Sequence, residues 1–252
     1  MSIEEQLQRL SGPPPRGLTE SVALGTGLAD GYDIYESPIG SVVVTFNPAG
    51  VTSVELAEED FVASFNERFH RPLLRAEAPR AWARYVRPAL EAGRPGRLPV
   101  DLSSVTSFQQ DVLRATATIP KGEVRSYSWI AAQADRPRAV RAAGSSVASH
   151  PIPLIIPCHR VVRADGHVGK YSLGGPHIKW ELLEHEGANP MRLEELASDH
   201  VRVQGNKNTG VFCYPTCRAI RRTRPENLIP FRTVEDAAEA GFEACTWCKP
   251  CC

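Results

Sequence analysis

Six of the chain's seven cysteines, Cys213, Cys217, Cys245, Cys248, Cys251 and Cys252, fall within its last 40 residues. No other feature restricts the fold as strongly. A segment this short cannot bury enough apolar surface to hold itself folded, so cross-links or a metal must supply the missing free energy. The spacing is C-x3-C at 213 and 217, then 27 residues, then C-x2-C at 245 and 248. That pattern is a tetrathiolate zinc signal, and in an intracellular chain a cysteine cluster favours metal over disulfides. Spacing leaves one ambiguity, because Cys248 and Cys251 also form C-x2-C and Cys252 follows directly. Between the pairs, "TVEDAAEAG" reads as a capped helix ending at glycine, which brings the second pair back to the first.

The seventh cysteine stands alone, in "IIPCHRVV" at residues 155 to 162. Burial as a small hydrophobe would explain the apolar flanks. It would not explain His159 and Arg160, two groups able to carry positive charge. Such neighbours lower a thiol pKa and raise the thiolate fraction, so Cys158 is a candidate nucleophile.

The remaining composition excludes little. At 252 residues the chain holds one large domain or two smaller ones, and 29 basic against 29 acidic residues give no global pull toward nucleic acid or membrane. No apolar run approaches the roughly 18 residues needed to span a bilayer, and the first residues are acidic and polar. The expectation is a soluble, cytoplasmic protein with no membrane partner.

Along the chain, Ser2 and Glu5 resemble a capping box opening a short helix, and residues 1–30 read as a tail and linker. Residues 31–105 form a first α/β unit. Its β-rich runs around "SPIG" and "NPAG" give a three-strand meander over 32–56, and helices follow near 58–69 and 80–92. Residues 106–188 form a second unit. Ser107 caps a helix to about Thr118, Ser126 starts another, and a third, rich in alanine, glycine and serine, stops at Pro151. A short strand is expected at 154–156, a hairpin at Asp165 and Gly166, and a last helix near 177–186 ending at Gly187. Arginines at the start of the small-residue helix suggest a helix-turn-helix; close packing on a neighbouring helix is the plainer reading. Residues 189–204 lack a periodic pattern and read as a linker before the cysteine-rich unit, 205–252.

"GEVRSY", "RAVRAAG", "IPCHRVV", "GKYSLGG" and "LLEHEG" occur in the order and near the spacing found in the methylated-DNA–protein-cysteine methyltransferases, which this region resembles. The resemblance covers about 32–190 and is strongest over 108–187. It implies an α+β protein with a small ribonuclease-H-like N-terminal α/β subdomain, a winged-helix-like catalytic subdomain and a small four-cysteine zinc domain. Its implied activity is irreversible, single-turnover transfer of an alkyl group from O6-alkylguanine to Cys158. His159 and Glu186 then activate the thiol through a water, and Tyr127 donates a proton toward the departing guanine. Arg141 enters the stack when the base flips, with Ala142, Ser145 and Ala148 keeping that helix slim. Tyr171, Ser172 and Leu173 lie over the flipped base.

Two positions depart from the family pattern. His150 stands where asparagine is usual, and Leu173 where some relatives have glycine, which should narrow the pocket. "TGVFCYPTCRA" and "GFEACTWCKP" look like the metal-binding domain of the bacterial adaptive-response (Ada) regulator. That second resemblance places Zn2+ on Cys213, Cys217, Cys245 and Cys248, and makes Cys213 a candidate second methyl acceptor, from methylphosphotriesters. No organic cofactor is implied. The implied partner is double-stranded DNA containing O6-alkylguanine, met by a monomer. A lesion-binding protein that does not repair is the alternative; a cysteine hydrolase is weaker, since an adjacent histidine cannot readily turn its ring to the same thiol.

Overall fold

A computed structural model of the chain describes residues 17–250 as a mixed α+β protein. The expected Ser2–Glu5 helix, Cys251 and Cys252 lie outside the described residues. Residues 18–26, expected within the tail, form helix α1 (Leu18–Thr26), which ends at the left-handed Gly27. The meander is present as β1 (Asp30–Ser37), β2 (Gly40–Asn47) and β3 (Gly50–Leu56), antiparallel throughout. Two-residue loops containing Pro38 and Pro48 make its turns. After α2 (Phe61–Phe69), β4 (Leu73–Arg75) joins the far side of β1 in parallel, for the order β3-β2-β1-β4. The helix expected from residue 80 is a 3-10 turn at Ala83–Tyr85 running into α3 (Val86–Ala92).

Helix α4 (Ser107–Thr116) is capped by Thr106 rather than Ser107, through a reciprocal capping box with Gln109. Two-residue β5 (Arg125–Ser126) leads into α5 (Tyr127–Gln133), with Ser126 accepting from the Trp129 amide, and then into α6 (Val140–Ser149). Residues 154–156 are not a strand. Pro151, Pro153 and Pro157 offer no amide hydrogens and Leu154 sits at φ 66°, so the chain coils, with Ile156 N–H donating to the Ile152 carbonyl at 3.0 Å. A 3-10 turn, Cys158–Arg160, follows and enters β6 (Val161–Val162), parallel to β5. The turn at Asp165 and Gly166 closes through Arg163 N–H to the His167 carbonyl at 2.9 Å, without a returning strand.

Helix α7 (Pro176–His185) is followed by α8 (Pro190–Ser198), where the sequence suggested a linker. Asn189 caps α8, Pro190 takes its first turn, and Leu193, Leu196 and Ala197 bury one face. The linker reading over 189–204 passed over this nine-residue helix, although its apolar residues stand at helical spacing. The cysteine-rich unit is a second sheet of β7 (Val203–Asn206), β8 (Val211–Cys213), β9 (Leu228–Phe231) and β10 (Glu243–Ala244), in the order β10-β8-β7-β9. Its helix α9 (Val234–Glu239) carries a Thr233–Asp236 capping box.

One buried apolar cluster joins the first sheet, through Val42, Val44 and Val54, to α3, α4 and the prolyl coil, through Leu90, Leu113, Ile152 and Ile155. A second gathers α4, α5 and α6 around Cys158 and Val161. Among the described residues no helix is long and apolar enough to cross a membrane.

Candidate active site and zinc centre

Cys158 is 3% exposed, on the turn between the prolyl coil and β6. Tyr127, the first residue of α5, and Tyr171 pack against the cluster that contains it. Glu186 is the C-terminal cap of α7, and its carboxylate is buried. His159 Nε2 lies 2.9 Å from Glu186 Oε1. Arg160 grips the same carboxylate from the other side, donating from Nε to Oε2 at 2.9 Å and from Nη2 to Oε1 at 2.6 Å.

Burial alone would raise the Glu186 carboxyl, but hydrogen bonds and charge from His159 and Arg160 outweigh it and hold the pKa at about 2. An ionised carboxylate only accepts, so His159 must carry its proton on Nε2 and present a lone pair on Nδ1. That Nδ1 is buried and has no hydrogen-bond partner among the described residues. Burial also depresses the His159 pKa, against the pull of Glu186, so the ring is a neutral base near pH 7.

The thiol departs from the sequence expectation. Burial pushes Cys158 up to about 11, partly offset by the Tyr171 hydroxyl and the Lys179 ammonium. The flanking charges do not serve it, since Arg160 is committed to Glu186 and His159 is neutral. Deprotonation therefore needs a base in place rather than a standing positive field. Burial, then the proximity of Cys158, raises the Tyr127 and Tyr171 hydroxyls, which keeps both protonated and able to donate. The His159 and Tyr171 rings meet edge to face, with centroids 6.4 Å apart.

Arg160 is the residue whose role sequence reasoning missed. Its Nη1 donates to the carbonyls of Gly93 at 3.0 Å and Ile119 at 2.7 Å, and its Nη2 to Ala92 at 2.6 Å. It thus stitches the ends of α3 and α4 to the Glu186 carboxylate. Gly93 permits this approach, because a Cβ there would sit 2.3 Å from Nη2. Its φ of 55° also suits glycine. Lys179 is likewise fully buried, donating to the Val161 and Val168 carbonyls at 2.6 Å each, and so ties α7 to the strand after Cys158.

The other expected residues divide. Arg141, Ala142, Ser145 and Ala148 share the exposed face of α6, while Ala143, Ser146 and Val147 are buried behind it. Gly144 of α6 faces the Tyr127 ring. Ser172 is exposed, and Leu173 packs half-buried against the first core cluster rather than that of Cys158. His150 is buried and neutral, its pKa lowered to about 3 by desolvation and then by Arg68. Its Nδ1 accepts from the Ile152 amide at 3.3 Å, bracing the prolyl coil, while Nε2 has no partner among the described residues.

In the last unit Cys213, Cys217, Cys245 and Cys248 are all buried, with their Sγ atoms within 4.8 Å of one another. Cys217 and Cys245 Sγ are 4.0 Å apart. Tetrahedral Zn–S bonds of ~2.3 Å place sulfurs roughly 3.8 Å apart, so the four thiols fit zinc. Hydrogen bonding to Cys217 raises the Cys213 thiol, so a dication is needed to hold all four ionised. The C-terminal region binds Zn2+, and these four residues fit as the ones that would hold it. A cavity of about 260 Å³ adjoins Cys213, lined in part by Thr209, Ala219, Thr246 and Trp247. Trp247 is exposed, and the Arg218 guanidinium lies 3.7 Å from its ring centroid.

Comparison with known proteins agrees with both halves. Residues 107–188 match the family described as "6-O-methylguanine DNA methyltransferase, DNA binding domain", and residues 194–251 match "Metal binding domain of Ada". The chain is 33% identical to the bifunctional transcriptional activator/DNA repair enzyme Ada of Escherichia coli over 174 residues, covering 67% of this chain and 48% of that one. It therefore spans about half the length of that relative. It is 37% identical to the methylated-DNA–protein-cysteine methyltransferase of Methanosarcina barkeri over 168 residues, covering 63% of this chain and 98% of the relative. Among solved structures, the O6-methylguanine methyltransferase of Mycobacterium tuberculosis is 35% identical with a TM-score of 0.50, over 62% of this chain and 92% of that one. The chain belongs to the methylated-DNA–protein-cysteine methyltransferase family and carries an Ada-type zinc-binding domain after its alkyltransferase region.

Proposed function

We propose that this protein repairs DNA by irreversible transfer of an alkyl group from O6-alkylguanine to Cys158, acting once per molecule as a monomer on duplex DNA. Glu186 holds the His159 tautomer, and the free Nδ1 lone pair takes the thiol proton through a bridging water. The thiolate attacks the alkyl carbon, a C–S bond forms, and the O6–C bond breaks. Tyr127 supplies a proton to the departing guanine. The observation that carries this reading is the buried thiol set among a neutral, carboxylate-oriented imidazole and two protonated tyrosines.

Residues 31–105 then form the ribonuclease-H-like subdomain and 106–188 the winged-helix-like catalytic one. Helix α6 enters the minor groove with its slim face, and Arg141 fills the space left by the flipped nucleotide. Tyr171, Ser172 and Leu173 line the base pocket. Cys158→Ser should still bind duplex through α6 and remove no alkyl group; continued repair by that variant would exclude Cys158 as acceptor. Binding without transfer by the unaltered protein would favour a lesion-binding role.

The cavity beside Cys213 supports a second acceptor site in residues 205–252. Zinc, when bound, keeps the four thiols ionised and nucleophilic. Cys213 attacks the methyl of a methylphosphotriester, so that S–CH3 forms, O–CH3 breaks and a phosphodiester leaves. Arg218, Arg221, Arg222 and Arg224 supply phosphate contacts.

A further inference from the structure

The segment from Gly122 to Trp129 touches both sites. On one side the Gly122 amide donates to Glu186 Oε2 at 3.2 Å. Arg125 and Ser126 pair with Val161 and Val162, directly after the Cys158 turn, and Tyr127 opens α5. On the other side three hydrogen bonds reach the cysteine unit. Glu123 Oε1 accepts from the Arg218 amide at 3.2 Å, the Val124 amide donates to Thr216 Oγ1 at 2.9 Å, and Trp129 Nε1 donates to the Cys248 carbonyl at 3.0 Å. Thr216 and Arg218 flank Cys217, so the contacts land on the two turns that carry Cys217 and Cys248. Glu123, Val124 and Trp129 are all buried, and Arg125 locks the seam by binding Glu123 Oε2 at 2.5 Å while lying over the Trp129 and Tyr214 rings.

We infer that Glu123, Val124 and Trp129 are positioning residues that couple the four-cysteine zinc site to the alkyl-transfer site. The inference rests on the proposed reaction at Cys158 for its functional consequence, and on geometry alone for the coupling. Holding the four thiolates fixes the two turns. The turns satisfy buried polar groups of residues 123–129, which set the place of Tyr127 and abut Glu186. When the turns lose order, those groups lose their partners and the segment loosens. Linkage makes the effect reciprocal, so a change in the seam alters zinc affinity.

The test is amide hydrogen exchange on the full chain, with zinc bound and after chelation under reducing conditions, alongside the single-turnover rate at Cys158. Zinc removal should speed exchange over 122–133 by about tenfold and slow methyl transfer by about tenfold, while β2 and β3 exchange as before. Trp129→Phe with Thr216→Val, which removes two of the three bonds, should speed the same amides in zinc-loaded protein and weaken zinc binding several-fold. Unchanged exchange over 122–133 while 203–249 exchanges freely would overturn the inference. So would acceleration spread equally over β2 and β3, since zinc would then hold the whole chain. Exchange and zinc affinity do not require Cys158 to react, so failure of the alkyl-transfer reading would appear separately, as unmodified Cys158 in zinc-loaded protein.

Discussion

His159 Nε2 and Glu186 Oε1 stand 2.9 Å apart, although the two residues lie 27 positions apart in sequence. The contact fixes which imidazole nitrogen keeps a free lone pair, Nδ1, and Arg160 shares the same carboxylate. Glu186→Gln keeps an acceptor but removes the charge that orients His159 and neutralises Arg160. Transfer should slow by roughly 10²- to 10⁴-fold, the usual worth of a positioned general base. A single-turnover rate within twofold of the unaltered protein would separate Glu186 from proton transfer.

Glu186 also makes stability depend on acid. Its folded pKa, about 2, lies below the ordinary 4.5, so its contribution is complete above about pH 4.5 and is lost as pH falls toward 2. The shift corresponds to stability on the order of 3 kcal/mol. Urea denaturation of the unaltered protein and Glu186→Gln, followed from pH 5 to about 2.5, should show the difference shrinking with acid.

His150 adds a separate window. Its pKa is lowered from 6.5 to about 3, so the unfolded chain binds a proton that the folded one refuses, and stability declines as pH falls below 6.5. His159 is shifted in the same direction. His150→Asn should therefore remove one of these two proton uptakes, lowering the slope of stability between about pH 6 and 4.5 by up to about 1.4 kcal/mol per pH unit. The same slope in both proteins would contradict the buried, neutral His150.

Arg160→Lys keeps the charge and loses the fork. Lysine cannot reach Glu186 and the Gly93, Ile119 and Ala92 carbonyls together, so buried acceptors are left unpaired. Loss of stability of about 3 to 5 kcal/mol is expected in equilibrium denaturation, the scale for breaking one partner of a buried ion pair.

Leu173→Gly should open the base pocket. Overpacking costs about 1 to 3 kcal/mol, so reaction with free O6-benzylguanine should speed roughly ten- to hundredfold, with the methyl substrate less affected. Rapid inactivation of the unaltered protein by that compound would count against a narrowed pocket.

The sequence exposed what local pattern encodes. The meander over 32–56 is legible from its alternation and its proline-containing turns, and the four zinc ligands from spacing with a single ambiguity. The grouping of Cys158 with Tyr127, His159, Tyr171 and Glu186 is legible because five short motifs stand in register. What stayed hidden depends on distant contacts. Arg160 looked like a charge beside a thiol, whereas its partners lie up to 68 residues away. The raised Cys158 pKa follows from burial by α4, α5 and α6, which no adjacent residue announces. Helix α8 was legible from its Asn189–Pro190 start and from Leu193, Leu196 and Ala197 at helical spacing, which the linker reading passed over, whereas Leu154 takes a left-handed conformation that a leucine does not signal.

Peptide mapping by mass after reaction with two duplexes tests the central claim most directly. One duplex carries O6-methylguanine and the other only methylphosphotriesters. The account predicts one methyl group on Cys158 from the first, and on Cys213 of zinc-loaded protein from the second. Cys158 left unmodified by the methylguanine duplex, while the protein binds it, would contradict the assignment of Cys158 as acceptor and leave a lesion-binding protein. An unmodified Cys213 alone would make the zinc site structural.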